Sequence, residues 1–131
     1  MLRNSQETVT ALYEAFARRD LPTVQSLTDS EVVVSQTPLL PWGGVFTGHG
    51  GLREFFERLL RYVDSRVVID EMIVAGDDLV ALGHTRGQVR STGAPFDIRV
   101  AHVWTVRGER IVRFQPFIDT PAMLQALGRA S

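Results

Sequence analysis

The chain has 131 residues, of which 44% are hydrophobic and 22% are charged, and its net charge at pH 7 is −1. This length supports one globular domain with its own core, and a near-neutral charge argues against a nucleic-acid binder, which would carry a basic face. The sequence contains no cysteine, which excludes disulfides, thiol catalysis and thiolate metal sites.

The sequence also predicts the domain organisation and the cellular location of the protein. We expect a single domain over residues 1–131, without a linker or repeat. Residues 1–16 lack the apolar centre of a signal peptide, and no run approaches the roughly 18 apolar residues of a membrane span. The sequence therefore predicts a soluble, cytoplasmic protein that binds neither membranes nor nucleic acid.

Helices are predicted at the start of the chain and again after residue 50. Asn4 and Glu7 have the spacing of a capping box, and Asp20 can cap a second, short helix with Pro22 in its first turn. A third helix is expected over residues 51–63. The apolar stripe of the first helix consists of Val9, Leu12, Phe16 and Ala17.

Strands dominate the rest of the sequence. A β-branched run predicts a strand over 31–36, and the proline- and glycine-rich segment 37–51 reads as a long covering loop. Four further strands, separated by glycine-containing turns, predict an antiparallel meander. These strands are expected at 66–75, 78–90, 95–107 and 110–119. A short helix near 120–127 follows, which gives an α+β domain with helices on one face of a curved sheet.

The order of these elements, with ALYEAFARRDLPTVQSL (11–27), VFTGHGGLREFF (45–56) and HVWTVRGERIVRF (102–114), resembles the nuclear transport factor 2-like superfamily. Within it, the chain is similar to SnoaL-like and ketosteroid-isomerase-related proteins. The resemblance implies a cone-shaped antiparallel sheet closed by the N-terminal helices, an apolar pocket inside the cone and a homodimer formed by the outer sheet face. It does not imply one reaction, because this fold hosts both enzymes and binders.

Catalytic positions of the related enzymes can be placed on this sequence through the resemblance. Steroid isomerases use a general-base Asp, which falls on Gln36, and hydrogen-bond donors that fall on Leu12 and Ala101. A supporting Tyr falls on Phe56. Because an amide cannot act as a base near neutral pH, steroid-isomerase chemistry is not expected.

The cyclases and epoxide hydrolases of this family place a catalytic Asp on the last strand. That position falls on Pro116, three residues before Asp119. Asp119 itself is therefore a candidate catalytic carboxylate, with the N-cap of the last helix as the structural alternative.

The strand at 95–107 has two faces, and alternation alone does not say which one is buried. The resemblance places Ala101 and Val103 toward the pocket, so that His102 and Trp104 would lie on the outer, dimerising face. His102 as a general base is the alternative. The three histidines lie on separate elements, so no metal site is expected.

The same resemblance gives a set of pocket residues that is mostly apolar. Among them Gln36 and Arg99 are strongly polar and would suit a ligand with a carbonyl, hydroxyl or carboxylate, unless Arg99 extends to solvent. The expected pocket residues are Leu12, Phe16, Gln36, Trp42, Phe56, Thr85, Arg99, Ala101, Val103, Phe114, Pro116 and Ile118.

Three functions follow from these expectations. The first is a dimeric module that binds a small, mostly apolar molecule without a cofactor. The second is a cofactor-independent isomerase, cyclase or dehydratase that acts on a small hydrophobic carbonyl compound through His102 or Asp119. The third is a structural dimerisation module.

Overall fold

A computed structural model of the chain describes residues 4–128. Its helices are α1 (Ser5–Ala17), α2 (Leu21–Ser26), α3 (Gly48–Tyr62) and α4 (Thr120–Ala126). The capping box of Asn4 and Glu7 is present, and the carboxylate of Asp20 accepts a hydrogen bond from the backbone N–H of Thr23. Local capping signals therefore fix where α1 and α2 begin. No helix within residues 4–128 has the length and apolar character that crossing a bilayer requires.

Six strands form one curved, open sheet in the order β2-β1-β6-β5-β4-β3. The antiparallel meander of the last four strands is confirmed, and β1 joins it by pairing in parallel with β6. The strands are β1 (Thr28–Gln36), β2 (Gly44–Thr47), β3 (Val63–Ala75), β4 (Asp78–Val89), β5 (Pro95–Arg107) and β6 (Arg110–Ile118). The predicted α+β class with a curved sheet and N-terminal helices is correct.

The segment 37–51 departs from the prediction of one long loop. Its second half contains β2, which pairs antiparallel with β1, and α3 begins at Gly48. Gly44 adopts a φ of +132°, a conformation that side chains rarely allow. The glycines that suggested a loop therefore allow the chain to turn sharply into an edge strand. The first half does cover the core, because Leu40 and Trp42 are buried.

The sheet is curved strongly enough to enclose a space. A Cβ on Gly83 would lie 2.0 Å from the Val68 carbonyl oxygen, and one on Gly87 would lie 1.9 Å from that of Asp64. Strands β3 and β4 therefore approach more closely than side chains permit. The register of β3 also shifts between Ile69 and Glu71, which is a β-bulge. Both features bend the sheet over helices α1 and α3.

Candidate functional site: an apolar cavity with a buried histidine

A cavity of about 70 Å³ lies between the inner face of the sheet and helices α1, α3 and α4. No Asp, Glu, Lys or Arg side chain lines it within residues 4–128. Its wall consists of Leu12, Tyr13, Phe16, Gln36, Trp42, Phe55, Phe56, Leu59, Val63, Ser65, Val67, Thr85, Val100, His102, Trp104, Phe114, Pro116, Ile118 and Met123. The site is an apolar, aromatic-rich space with a few polar groups, which is the usual make-up of a small-molecule pocket.

Three side chains on the wall form a hydrogen-bonded chain. Trp104 Nε1–H donates to the Tyr13 hydroxyl oxygen at 3.0 Å, and that oxygen lies 2.7 Å from His102 Nδ1. Trp104 and His102 are i, i+2 neighbours on β5 and so share one face of the strand. Tyr13 reaches them from α1, and its side chain links the helix to the sheet at the cavity wall.

Aromatic packing fixes the orientation of these groups. The Trp104 ring stacks on Phe114 with centroids 3.9 Å apart and planes 12° apart. The His102 ring meets the same Phe114 ring nearly at right angles, at 5.2 Å. Such contacts restrict ring rotation, so packing alone holds the His102 imidazole in this orientation.

Burial sets the protonation state of the pair. Desolvation lowers the pKa of His102 from 6.5 to about 3, so the imidazole is neutral at physiological pH. Desolvation likewise raises the pKa of Tyr13 above its ordinary value of 10.0, so its hydroxyl keeps its proton. With Trp104 donating to the Tyr13 oxygen, the Tyr13 O–H is free to donate to His102 Nδ1, which leaves the proton of the imidazole on Nε2.

His102 Nε2 faces the cavity. It has no hydrogen-bond partner within residues 4–128, and none of the polar side-chain atoms there is both sealed from solvent and unpaired. Gln36 is similar, because its Oε1 accepts from the backbone N–H of Thr37 at 2.9 Å while its Nε2 has no partner in the same range. The cavity therefore contains N–H groups that a ligand acceptor could meet.

The structure places nine of the twelve expected pocket residues on the wall of the cavity: Leu12, Phe16, Gln36, Trp42, Phe56, Thr85, Phe114, Pro116 and Ile118. Arg99, Ala101 and Val103 do not line it. Arg99 is exposed, so the expectation of a guanidinium inside the cavity is wrong. The outer-face assignment of His102 and Trp104 is also wrong, because they are only 6% and 2% exposed and both line the cavity.

A β-bulge in β6 explains why Phe114 and Pro116 share the cavity with Trp104 and His102 and not with Val103 and Ala101. A regular hairpin that starts from the Arg107–Arg110 pair would place Val103 opposite Phe114. In the structure, Val106 pairs with Ile111 but Thr105 pairs with Arg113, so Val112 is an extra residue. Trp104 then lies opposite Phe114, and His102 lies opposite Pro116. The extra residue moves the later side chains of β6, Phe114 and Pro116, onto the face of Trp104 and His102, whereas the alternation of β5 continues without a break.

Asp119 does not belong to the cavity. Its carboxylate accepts a hydrogen bond from the backbone N–H of Ala122 at 3.2 Å and caps α4. The structural alternative is therefore correct, and Asp119 is removed as a catalytic candidate. No cluster of three or more potential metal ligands exists within residues 4–128.

Ten residues of the wall are not among the expected pocket residues, and Tyr13 is the one that completes the hydrogen-bonded chain. The resemblance places a hydrogen-bond donor of the isomerases on Leu12 and gives Tyr13 no role. The available signal was its i, i+4 relation to Val9, which is fully buried and lies on the same helix face. Both Leu12 and Tyr13 line the cavity, because the inner face of α1 is wide.

The buried imidazole predicts a specific acid sensitivity. Since the folded pKa of His102 is about 3 and the unfolded value is 6.5, the unfolded chain binds the extra proton. The stability due to neutral His102 is therefore present above pH 6.5 and falls by about 1.4 kcal/mol for each pH unit below it. Urea unfolding between pH 7.5 and pH 4.5 measures this slope.

Two variants separate His102 from other acid-sensitive groups. His102→Asn keeps an acceptor for Tyr13 but cannot titrate, so its slope should be one proton shallower. Tyr13→Phe leaves the imidazole buried and should keep the steep slope at lower overall stability. Equal slopes in the wild type and His102→Asn would contradict the account.

Comparisons with known proteins agree with this fold. The family model described as the SnoaL-like domain matches residues 9–114. Two solved NTF2-like proteins, from Burkholderia pseudomallei and Burkholderia thailandensis, are each 30% identical to the chain and have TM-scores of 0.89 and 0.87. In both cases 96% of this chain and 98% of the other are covered, and the first is described as a protein of unknown function.

A third solved structure, TerC co-crystallised with polyporic acid, is 25% identical with a TM-score of 0.85, and the match covers 93% of this chain and 96% of TerC. No curated protein matches the chain. The family match over most of the sequence and the 30% identical structures carry the assignment. The chain belongs to the SnoaL-like domain family of the nuclear transport factor 2-like fold.

Proposed function

We propose that the protein binds a small, uncharged, mostly apolar molecule that carries a hydrogen-bond acceptor, such as a ketone. The observation that supports this most strongly is the arrangement of His102. Tyr13 occupies its Nδ1, while its Nε2 opens into the cavity. The imidazole is therefore presented as a fixed neutral donor in an apolar space.

The energetics favour a ligand with an acceptor over a plain hydrocarbon. An apolar ligand gains from burial at about 25 cal/mol per Å² of apolar surface. If the ligand covers His102 Nε2 without accepting a hydrogen bond from its N–H, it leaves a buried donor unpaired, which costs about 1–3 kcal/mol. A carbonyl oxygen at that place avoids the cost. Specificity for a ketone over its hydrocarbon analogue then rests on His102.

The charge distribution favours a neutral ligand. The lining contains no ionised cation, because Arg99 lies outside. A surface groove shares Tyr13 and Val67 with the cavity wall and carries Glu14, Asp70 and Glu71. An anion would lose hydration without gaining a counter-ion. Of the ligand groups expected from the sequence, carbonyl and hydroxyl remain, and carboxylate is disfavoured.

Cavity size limits the ligand further. A volume of about 70 Å³ corresponds to space for on the order of five water molecules, which suits a ring of cyclohexane size. TerC, crystallised with polyporic acid, supports a ligand-binding role for a chain of this fold. Cyclohexanone is a suitable probe, and methylenecyclohexane, which replaces its oxygen by CH₂, is the matched hydrocarbon.

Titration of the ¹⁵N-labelled protein with these probes tests the proposal. Trp104 and Trp42 both line the cavity, and their indole N–H signals report occupancy. We expect cyclohexanone to bind about tenfold more tightly than methylenecyclohexane, in line with one hydrogen bond in an apolar site, and benzoate not to bind. In a His102→Phe variant the preference for the ketone should disappear.

A control variant lies on the opposite face of the sheet. His84 is bonded to Asp97 at 2.8 Å and does not line the cavity, so His84→Gln should bind cyclohexanone like the wild type. Equal binding of ketone and hydrocarbon by the wild type, or loss of binding in His84→Gln alone, would overturn the proposal.

An isomerase-type enzyme is the second candidate, because Tyr13 and His102 form a donor–base pair next to a carbonyl-sized space. This role requires the other tautomer, in which Nδ1–H donates to the Tyr13 oxygen and the free Nε2 of His102 takes a proton from the carbon beside the carbonyl. Its pKa of about 3 makes it a poor base at neutral pH, and for this reason we rank binding first. The same titration in D₂O separates the two, since His102-dependent deuterium exchange at cyclohexanone's α-carbons would establish enolisation.

We further propose that the protein is a homodimer, with the interface on the outer sheet face. Val80 pairs with Val103 and Leu82 pairs with Ala101, and Ala101 also pairs with Phe117, which is 56% exposed. These residues form one apolar patch across β4, β5 and β6. The outer face is the one expected from the sequence, but its β5 residues are Ala101 and Val103 and not His102 and Trp104. A cytoplasmic location stays a prediction.

Disrupting this patch tests the dimer. Val103→Glu and Phe117→Glu each place a charge in the proposed interface, where an unpaired buried charge costs several kcal/mol, so both should be monomers by sedimentation. Ser91→Glu, on the exposed turn between β4 and β5, should remain a dimer. A monomeric wild type, or a dimeric Val103→Glu protein, would contradict the assignment.

A further inference from the structure

Two buried hydroxyls lie on the cavity wall away from His102. Ser65 on β3 and Thr85 on β4 are 5% and 9% exposed and both line the cavity. Neither hydroxyl has a hydrogen-bond partner within residues 4–128, and neither is sealed from solvent. Each therefore presents an unpaired donor and acceptor to the cavity. The ketone site at His102 does not account for them.

The sheet register separates these hydroxyls from His102 along the cavity wall, and the region around them is called the second pole. Thr85 pairs with Ile98, which lies four residues before His102 on β5. Four residues of a strand span about 13 Å. Subtracting two hydrogen bonds of about 2.8 Å each leaves roughly 7 Å between two ligand oxygens, and the curvature of the sheet shortens this span. One six-membered ring with an oxygen at each end has a span of this order.

The surroundings keep the hydroxyls accessible and fixed. Thr85 is flanked on its own face by Gly83 and Gly87, which have no side chains to cover it. The backbone at Ser65 is held by Arg19, whose guanidinium donates to the Ser65 carbonyl oxygen at 2.6 Å and to the Phe16 carbonyl oxygen at 3.0 Å. The second pole is thus preorganised between α1 and β3.

We infer that Ser65 and Thr85 form a second polar subsite, so that the ligand is a two-ended molecule with an apolar ring between two oxygen groups. This inference rests on the proposed binding function. The ketone oxygen meets His102, and a hydroxyl at the far end of the ring meets Ser65 and Thr85. A hydroxyl can both donate and accept, as these two side chains can, which makes it the best match for this pole.

A comparison of cyclohexanone with 4-hydroxycyclohexanone tests the subsite. In the wild type the added hydroxyl should tighten binding about fivefold, as expected for one further hydrogen bond in a desolvated site. In the double variant Ser65→Ala/Thr85→Val this gain should be lost, so that the two ligands bind equally well. Thr85→Val conserves side-chain shape, and Thr85→Ser, which keeps the hydroxyl, should retain the gain.

A His102→Phe variant separates the two poles. It should weaken both ligands by the same factor and keep the fivefold ratio between them. If the double variant keeps the fivefold ratio between the two ligands, the second subsite is wrong, whereas the ketone site at His102 stands. If the wild type binds neither ligand, both the proposed function and this inference are wrong.

Discussion

One extra residue in β6 decides which β6 side chains meet His102 and Trp104 inside the protein. With Val112 unpaired, Trp104 lies opposite Phe114 and His102 lies opposite Pro116, and both β5 side chains enter the cavity. Without this bulge Phe114 and Pro116 would lie opposite Val103 and Ala101 on the outer face, and His102 and Trp104 would lose the ring that packs against both of them. The chemistry of the site therefore depends on a feature of backbone pairing.

The burial of the His102 imidazole bears on its hydrogen bonds, its protonation state and the charge of the ligand that suits the cavity. Tyr13 occupies His102 Nδ1 and accepts a hydrogen bond from Trp104, and the Phe114 ring packs against both His102 and Trp104. Desolvation keeps His102 neutral, so the group serves as a donor more readily than as a base. The absence of charged side chains from the lining within residues 4–128 fits a neutral ligand. The proposed binding function rests on the same burial that disfavours proton abstraction by His102.

The sequence predicts those features that depend on short-range signals. The capping residues Asn4 and Asp119 identify helix starts because a side chain and a backbone N–H three residues later suffice to form the cap. Glycine turns and β-branched runs locate the last four strands well, although their ends differ by a few residues. The family resemblance correctly supplies the curved sheet.

The features that the sequence does not predict depend on long-range pairing. Strand β2 exists because Phe46 and its neighbours pair with β1, although the surrounding glycines and prolines read as a loop. The bulge at Val112 leaves no local mark, yet it moves Phe114 and Pro116 from the face of Val103 and Ala101 to the face of Trp104 and His102. Tyr13 joins the site through its hydroxyl, which bonds to both of those side chains over a long sequence separation.

The measurement that tests the account most directly is ¹⁵N NMR of the His102 ring in histidine-labelled protein, assigned with His102→Asn. We expect a proton on Nε2 of His102 and none on Nδ1. This tautomer should persist from neutral pH to about pH 4.5, because burial disfavours the charged form of the imidazole. Cyclohexanone should shift the Nε2 signal, whereas methylenecyclohexane should not produce the shift of a new hydrogen bond. A ring that titrates near 6.5, or an Nε2 signal that does not respond to the ketone, would contradict the assignment of His102 as a buried neutral donor.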